Sequence, residues 1–501
     1  MATHEQFDKL NKNVYTKLMK CNIVLKDEVN CKVEGLDTRT RKKCIDKLKF
    51  FLPYARHVPA YKLGRWDGTV QYFSMGGSTY INLLDEVLPI VIQEGYDVEV
   101  DDRRQRWNFE IEEVTEQTFS DTVWPEGHPV EGQPIVLRDY QVEIINRFLD
   151  TPHCLQEIAT GAGKTLITAA LSAKVQAYGR SVVIVPNKDL VRQTAVDYEN
   201  MGLDVGVYFG DKKEMDKTHT ICTWQSLNTM EKRFRDGLSD VSLTEFLQGV
   251  VCVIVDEVHQ AKADVLKKLL TGAFANVPLR WGLTGTVPKD EHELFGIRAS
   301  LGDVTNRLAA KELQDEGVLA QCHVNIVQMQ DTADFGNYQS ELTFLTTNKK
   351  RIEYMAGLIE DLSHNGNTLV LVDRIKSGEM LEELLPDATF VRGAMKSADR
   401  KDTYDEINDS NNSITIATYG VAAVGINIPR IFNLVLVEPG KSFVRVIQSI
   451  GRGIRKAKDK DHVQIYDITS SCKFSKRHLT QRKKFYREAH YPFNVQKVDY
   501  Q

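Results

Sequence analysis

Three short stretches of this sequence combine residue types at spacings suited to phosphate chemistry. The first is Ala159-Thr160-Gly161-Ala162-Gly163-Lys164-Thr165, set between an apolar entry (Cys154, Leu155, Ile158) and a helix-like run over 166–175. Glycines in such a loop let main-chain N–H groups approach phosphate oxygens, and the helix that follows adds its positive N-terminal dipole. Lys164 then reaches the β- and γ-phosphates, and the Thr165 hydroxyl is a Mg²⁺ ligand. The stretch lacks the first glycine of the longer G-x-x-x-x-G-K-[ST] template, so on its own it is also compatible with a simple tight turn. The second is Asp256-Glu257-Val258-His259, directly after the apolar run 251–255. An acid at the C-terminal end of a parallel strand lies at the sheet edge where ligands bind. Asp256 suits Mg²⁺, and Glu257 can orient and deprotonate an attacking water. The third is Gln448-Ser449-Ile450-Gly451-Arg452-Gly453-Ile454-Arg455, with two arginines on one face if helical. Such arginines can neutralise charge on a γ-phosphate in the transition state.

These groups need a scaffold that brings strand ends together. From Leu137 onward, β-branched runs at 182–185, 220–223, 250–255 and 281–283 alternate with helix-length amphipathic stretches. A second series follows at 324–327, 369–372, 414–417, 434–437 and 463–465. This alternation predicts two successive parallel sheets with crossover helices. The phosphate loop falls in the first and the paired arginines in the second, so hydrolysis would depend on closure of a cleft between them.

Residues 1–112 differ in character. The spacing predicts an amphipathic helix over 39–55, with Ile45, Leu48, Phe51 and Leu52 on one side. Asp67-Gly68 between β-prone flanks predicts a hairpin across 61–73. Between Arg39 and Arg65 stand nine Lys/Arg against one acid, Asp46, interleaved with Tyr54, His57, Tyr61 and Trp66. Arg41, Lys42, Lys43, Arg65 and Trp66 could follow a phosphate backbone and stack on bases; equally, the aromatics could be core and the lysines a solvated face. Acidic 112–133, rich in proline and glycine, reads as a linker or covering loop. The basic tail 471–487 reads as a solvated charged helix or as a nucleic-acid contact.

Composition narrows the class. At 501 residues the chain has room for roughly three domains of about 150 residues each. A net charge of −5 means that any polyanion site is a local patch. The eight cysteines are scattered without a C-x-x-C pair, which argues for reduced thiols and against zinc or a disulfide framework. No apolar run is long enough to span a membrane, and Met1–Lys12 lacks a signal-peptide pattern, so a cytoplasmic protein (host cytoplasm if viral) is expected.

Taken in order, the motifs resemble those of superfamily 2 helicases of the DExH type. Leu137-Arg138-Asp139-Tyr140-Gln141 resembles the opening motif, which implies an adenine-reading Gln141 with Arg138 beside it. Residues 159–165 resemble motif I, Val185-Pro186-Asn187-Lys188-Asp189-Leu190 motif Ia, and Thr223-Trp224-Gln225-Ser226-Leu227 motif Ic. Residues 256–259 resemble motif II, and Leu283-Thr284-Gly285-Thr286 motif III. Residues 369–373, with Arg374 next to them, resemble motif IV, and Thr418-Tyr419-Gly420 through Gly425-Ile426-Asn427-Ile428-Pro429 motif V. Residues 448–455 resemble motif VI. Asn427 stands where the family usually has aspartate, and Val287 where it has proline.

The resemblance implies two RecA-like α/β domains behind a small α+β DNA-binding domain, divided at 1–112, 113–310 and 311–501. It implies ATP and Mg²⁺ (Thr165, Asp256) as cofactors, with Lys164, Asp256, Glu257, His259, Gln448, Arg452 and Arg455 catalytic. Arg455 is the preferred arginine finger. Arg138, Gln141, Thr160, Gly161, Ala162, Gly163, Lys164, Thr165, Gly425 and Asn427 would hold the nucleotide. Pro186, Asn187, Thr223, Gln225, Thr284, Thr286, Arg374 and Thr418 would meet DNA. With its basic N-terminal module the whole chain resembles the recombination helicases of T-even bacteriophages. That implies a monomer remodelling branched or forked DNA and RNA–DNA hybrids in recombination, repair and replication, alongside phage replication proteins. An RNA helicase of the same fold is the alternative. A restriction translocase is disfavoured because the one P-D pair, Pro386-Asp387, has no following E-x-K. A non-catalytic nucleotide clamp is disfavoured because Lys164, Asp256, Glu257, Arg452 and Arg455 are all present.

Overall fold

Runs of valine, isoleucine and leucine become strands wherever both of their faces can be covered, and here they gather into two large sheets. The computed structural model describes residues 19–126, 130–210, 212–260, 263–393, 395, 403–404, 406–425, 428–442, 446, 449–451 and 453–500. A smaller mixed sheet precedes them, built from β1 (Met19–Leu25), β2 (Asn30–Glu34), β5 (Ser78–Tyr80) and β6 (Tyr96–Asp102) in the order β5-β2-β1-β6. Between β2 and β5 runs a two-stranded antiparallel ribbon of β3 (Lys49–Phe51) and β4 (Thr69–Gln71).

The next sheet has eight strands: β7 (His153–Ile158), β8 (Arg180–Val185), β9 (Val205–Phe209), β10 (Lys212–Lys213), β11 (His219–Thr223), β12 (Val250–Val255), β13 (Leu279–Thr284) and β14 (Asp303–Leu308). Their order is β10-β9-β11-β8-β12-β13-β7-β14, parallel except for the β10 edge. All six residues of β12 are buried, as expected of a strand covered on both faces. The third sheet contains β15 (Gln321–Met329), β16 (Thr368–Val372), β17 (Ala388–Val391), β18 (Ile414–Thr418), β19 (Asn433–Val437), β20 (His462–Ser470) and β21 (Phe493–Val498). They run in the order β17-β18-β16-β19-β20-β15-β21, all parallel. Two parallel α/β units thus stand in tandem behind a small α+β module, as the sequence pattern implies.

The N-terminal module departs from expectation in two places. The helix is short, Thr38–Lys47, capped at its start by the Asp37 carboxylate, which accepts from Thr40 N at 2.7 Å. Pro53 cannot extend a helix whose N–H groups must bond backward, and residues 49–51 instead pair with 69–71. Asp67-Gly68 therefore does not turn a hairpin between 61–66 and 69–73. Gly68, at φ +77°, leads into β4, and its carbonyl accepts from Leu52 N at 2.8 Å.

The module is welded to the first unit. Tyr72 donates to His292 O at 2.7 Å, Glu28 N to Ala275 O at 2.9 Å, and Asn30 Nδ2 to Thr271 O at 2.8 Å. Arg298 pairs with Asp85 and Glu86, the tilted rings of Phe50 and Phe295 meet with centroids 4.7 Å apart, and Ala299 belongs to the module's own apolar core. The described part of the stretch 112–133 is a covering loop. Val114 is 2 % exposed and exchanges a pair of hydrogen bonds with Asn146, at 2.7 and 3.0 Å. All eight cysteines are free and buried. Among the described residues, no helix is long and apolar enough to cross a membrane, and no His/Cys/Asp/Glu cluster could hold a metal by itself.

Candidate active site

In the strand order, β13 lies between β12 and β7. Three C-terminal strand ends therefore meet, carrying residues 159–165, 256–259 and 284–287. Gly161 and Gly163 adopt φ of +92° and +82°, the left-handed region that lets the loop wrap and present its N–H groups. The helix Lys164–Val175 starts directly behind it.

Lys164 Nζ lies 3.0 Å from Glu257 Oε1 and donates to Ile158 O at 3.4 Å. Glu257 Oε2 accepts from Gly285 N at 3.3 Å and lies 3.6 Å from His259 Nδ1. His259 Nδ1 meets Thr284 Oγ1 at 2.5 Å, and that hydroxyl donates to Thr286 O at 2.8 Å. Since the hydroxyl hydrogen is spent on Thr286, His259 is the donor in this pair. Burial pushes His259 down, which favours the neutral ring.

The two acids are tuned apart. Burial and the neighbouring Glu257 charge push Asp256 up to about 7. Burial would also raise Glu257, but the Lys164 ammonium and His259 more than offset it and hold the carboxyl low, at about 2. Glu257 also sits at φ +49°, a costly conformation for a side-chain-bearing residue and one typical of functional sites.

The opening motif is tied to the phosphate loop. Gln141 is 4 % exposed; its Nε2 donates to Ala162 O at 3.0 Å and its Oε1 accepts from Arg138 N at 3.0 Å. Each polar atom holds one partner within the protein, so Gln141 braces the phosphate loop. Tyr140, not singled out from sequence, does the same through its hydroxyl, 3.1 Å from Ala162 O, and takes a hydrogen bond from Arg138 at 2.9 Å.

The second unit closes over this loop. A Cβ on Gly451 would lie 2.9 Å from the Thr160 Cβ, and one on Gly161 would lie 2.7 Å from Leu319 Cδ2. Leu319 in turn forms an antiparallel bridge with Arg455. Residues 449–451 and 453 are helical, but Arg455 has left the helix. Arg452, Gln448 and Asn427 lie outside the described residues. Gly425 ends the helix Tyr419–Gly425, which packs against Lys188–Asn200 of the first unit. Leu319 had no sequence signal, because a lone leucine in a connection acquires meaning only from what it touches.

Among the expected nucleic-acid contacts, Asn187 caps its helix by accepting from Asp189 N and Leu190 N at 3.1 and 3.0 Å. Its Nδ2 is buried with no acceptor among the described residues. Exposed Gln225 donates to Pro186 O at 3.3 Å. Pro186 and Thr223 are buried, Thr223 accepting from Ser226 N at 3.2 Å as a helix cap. Thr284 and Thr286, at 0 % and 1 % exposed, cannot reach DNA; they wire residues 284–286 to His259. Arg374 and Thr418 are half-buried at the starts of helices. In the module, Lys42 and Arg65 are exposed, Lys43 pairs with Glu94, and Arg41 is half-buried and donates to Met75 O at 3.3 Å. Half-buried Trp66 donates to Thr69 O at 3.0 Å, which makes it a brace of the ribbon. The tail helix Lys473–Glu488 is not wholly solvated: Arg482 is buried and forks onto Asp467 at 2.8 and 2.9 Å.

The donor set fits Mg²⁺ and a nucleotide. Hydroxyl and carboxylate oxygens (Thr165, Asp256) suit a hard cation. At Gly285 a Cβ would stand 3.3 Å from Thr160 Oγ1 and 3.5 Å from Lys164 Nζ, crowding the cradle in which phosphates would lie.

Residues 134–289 match the family described as type III restriction enzyme, res subunit, and residues 350–457 match the helicase conserved C-terminal domain. The ATP-dependent DNA helicase uvsW of Enterobacteria phage T4 is 22 % identical over 452 residues, 86 % of this chain and 87 % of that protein. The DNA 3'-5' helicase XPB of Kineococcus radiotolerans is 24 % identical over 385 residues, 72 % of this chain and 65 % of that one. Among solved structures, the ATP-dependent type ISP restriction-modification enzyme LlaBIII bound to DNA shares the fold, with a TM-score of 0.55 at 14 % identity. That match covers 84 % of this chain and 36 % of the other.

Proposed function

Because this chain belongs to the superfamily 2 helicases and is an ATP-dependent helicase, we propose that its substrate is branched or forked DNA, which it remodels in recombination, repair and replication. Fork regression, branch migration of four-way junctions and removal of RNA–DNA hybrids are the reactions in view. The observation that carries this reading is the docking of the basic module. Exposed Arg39, Lys42, Arg56, Lys62 and Arg65 sit on an element fastened to the unit that holds the phosphate loop. DNA held by the module therefore has a fixed position relative to the motor. Relatives named as DNA helicases favour DNA over RNA. The division at 1–112, 113–310 and 311–501 belongs to the same reading, supported by each large sheet falling within one span.

In this reading Lys164 binds the β- and γ-phosphates, Thr165 and Asp256 hold Mg²⁺, and bound Mg²⁺ supplies charge neutralisation. Glu257 takes the proton of the attacking water. The Lys164–Glu257 pair at 3.0 Å keeps that carboxylate ionised, and Lys164 turning to the phosphates would restore its basicity. Arg455, coming from the second unit, stabilises charge as the γ-phosphoryl leaves, so turnover requires a closed cleft. His259 and Thr284 carry the state of the phosphate site into residues 284–286. The test is unwinding of forks, four-way junctions, RNA–DNA hybrids and linear duplexes, with ATPase stimulation by branched DNA against structured RNA. Preference for branched DNA is expected. Stronger stimulation by structured RNA would replace this reading with the RNA helicase.

A further inference from the structure

Lys460 is 3 % exposed, yet it lies outside every motif discussed above. Its Nζ donates to Pro429 O at 2.9 Å, to Gly453 O at 2.5 Å and to Arg455 O at 2.8 Å. An ammonium has three donors, and here main-chain carbonyls take all of them. The adjacent Asp459 is half-exposed and engages Arg430 at 2.8 Å. Burial, with the nearby Arg455 charge, pushes Lys460 down to about 7. A buried cation placed beside an arginine is costly, and the carbonyl end of a helix is the environment that offsets such a cost.

What the three carbonyls share is their place in the fold. Gly453 and Arg455 lie at the exit of the helical stretch that includes residues 449–451 and 453, and Pro429 ends the segment that resembles motif V. Arg455 is held from its other side by the bridge to Leu319, reinforced by Ala320 N donating to Ile454 O at 2.8 Å. Leu319 rests on Gly161 of the phosphate loop. The main chain of Arg455 is thus gripped between the phosphate loop and a buried ammonium. A neutral side chain of similar length could fill the space but could not tie three carbonyls.

We propose that Lys460 is a positioning residue, which sets Arg455 toward the phosphate loop by tying the exit of its helix to Pro429. This rests on the reading of Arg455 as the arginine that acts on the γ-phosphate. The experiment measures kcat and KM for ATP at saturating DNA in full-length R455A, K460M and the double variant, with thermal melts alongside. Methionine keeps the length and apolar stem but removes the donors. K460M should lower kcat roughly ten- to a hundred-fold, the scale for a catalytic group displaced by about 1 Å, with KM for ATP within about two-fold of wild type. In the R455A background the same change should add nothing. A purely structural lysine would lower kcat by the same factor in both backgrounds, and that result overturns the proposal. So does a K460M enzyme with wild-type kcat while R455A is impaired. If R455A itself retains wild-type turnover, the assignment of Arg455 falls, and this proposal with it. Should K460M melt below the assay temperature, K460Q, which removes the charge and one donor, takes its place: a smaller fall in kcat in the wild-type background and none added in the R455A background are expected, and an equal fall in both overturns the proposal.

Discussion

At Asp256 and Glu257, neighbouring carboxylates end up shifted in opposite directions: burial and the Glu257 charge raise Asp256, while the Lys164 ammonium, closest to Glu257, holds that one low. Lys164 lies 3.0 Å from Glu257, which stays ionised, while Asp256 carries the cost of burial. Glu257→Gln should therefore keep ATP and DNA binding but lose roughly 10²-fold or more in turnover, since the amide cannot take a proton. An equal loss of ATP affinity, read by nucleotide titration, would show a mainly structural role. A second residue makes a pH-dependent claim. Burial raises half-buried Asp197 to about 6, and no side chain among the described residues donates to it. The folded state therefore binds this proton more tightly than the unfolded chain, and stability falls as pH rises from near the ordinary carboxylate range to about 6. Asp197→Asn should stabilise the protein by about 1–2 kcal/mol at pH 7 and by close to nothing near pH 4. Denaturant melts at the two pH values check it; destabilisation at pH 7 would mean the carboxylate has a partner in solution.

Among the elements, the β3–β4 ribbon and the helix Thr38–Lys47 decide which basic residues are available. Lys43, Lys47 and Lys49 are paired with Glu94, Glu86 and Asp67, which removes much of the run from DNA duty. Lys42 and Arg65 remain exposed, with no acidic partner among the described residues. Lys42→Glu and Arg65→Glu should each weaken junction binding and flatten its dependence on log salt by about one unit for every phosphate no longer neutralised. Lys43→Glu should do less, because its charge is already spent on Glu94. Salt titrations of four-way-junction affinity separate the three. Identical slopes for wild type, Lys42→Glu and Arg65→Glu would remove the module as a DNA reader. Removing the module outright is a poor test, because it would bare Phe295 and Ala299 and strip Arg298 of its Asp85 and Glu86 partners.

Across the whole molecule the two parallel-sheet units meet in a closed arrangement. Besides Gly451 on Thr160 and Leu319 on Gly161, Lys289 reaches over to Glu488 at 2.6 Å and lies 5.4 Å from the Phe485 ring centroid. Lys289 follows the segment 284–287 that is wired to His259, so this contact joins the phosphate site to the tail helix Lys473–Glu488. Exposed pairs of this kind are worth about 0–1 kcal/mol. Lys289→Glu and Glu488→Lys should each lower DNA-stimulated turnover by up to about five-fold, the rate equivalent of that energy. The double charge swap should restore it. A swap no better than either single change would show that the contact does not hold the cleft closed.

Much of this protein was legible in the residues alone. The two series of β-branched runs, the glycine loop ending in Lys164-Thr165 and the acids closing a buried strand all depend on local periodicity and composition. Parallel strands covered on both faces must be continuously apolar, so 250–255 and 369–372 announce themselves. Tertiary structure decided what depends on partners distant in sequence. Residues 49–51 follow a helical pattern on paper and become a strand because 69–71 offers its hydrogen bonds. Thr284 and Thr286 look like backbone readers and are buried against His259. Gln141 looks like a base reader, and only the fold shows that it also ties the phosphate loop through Ala162. Leu319 and Lys460 carry no motif, yet one touches the phosphate loop and the other holds the main chain of Arg455. In each case the side chain's chemistry was visible from its type, but its partner was not. Hydrogen bonds and packing act over a few ångströms, and only the folded chain sets which groups stand that close.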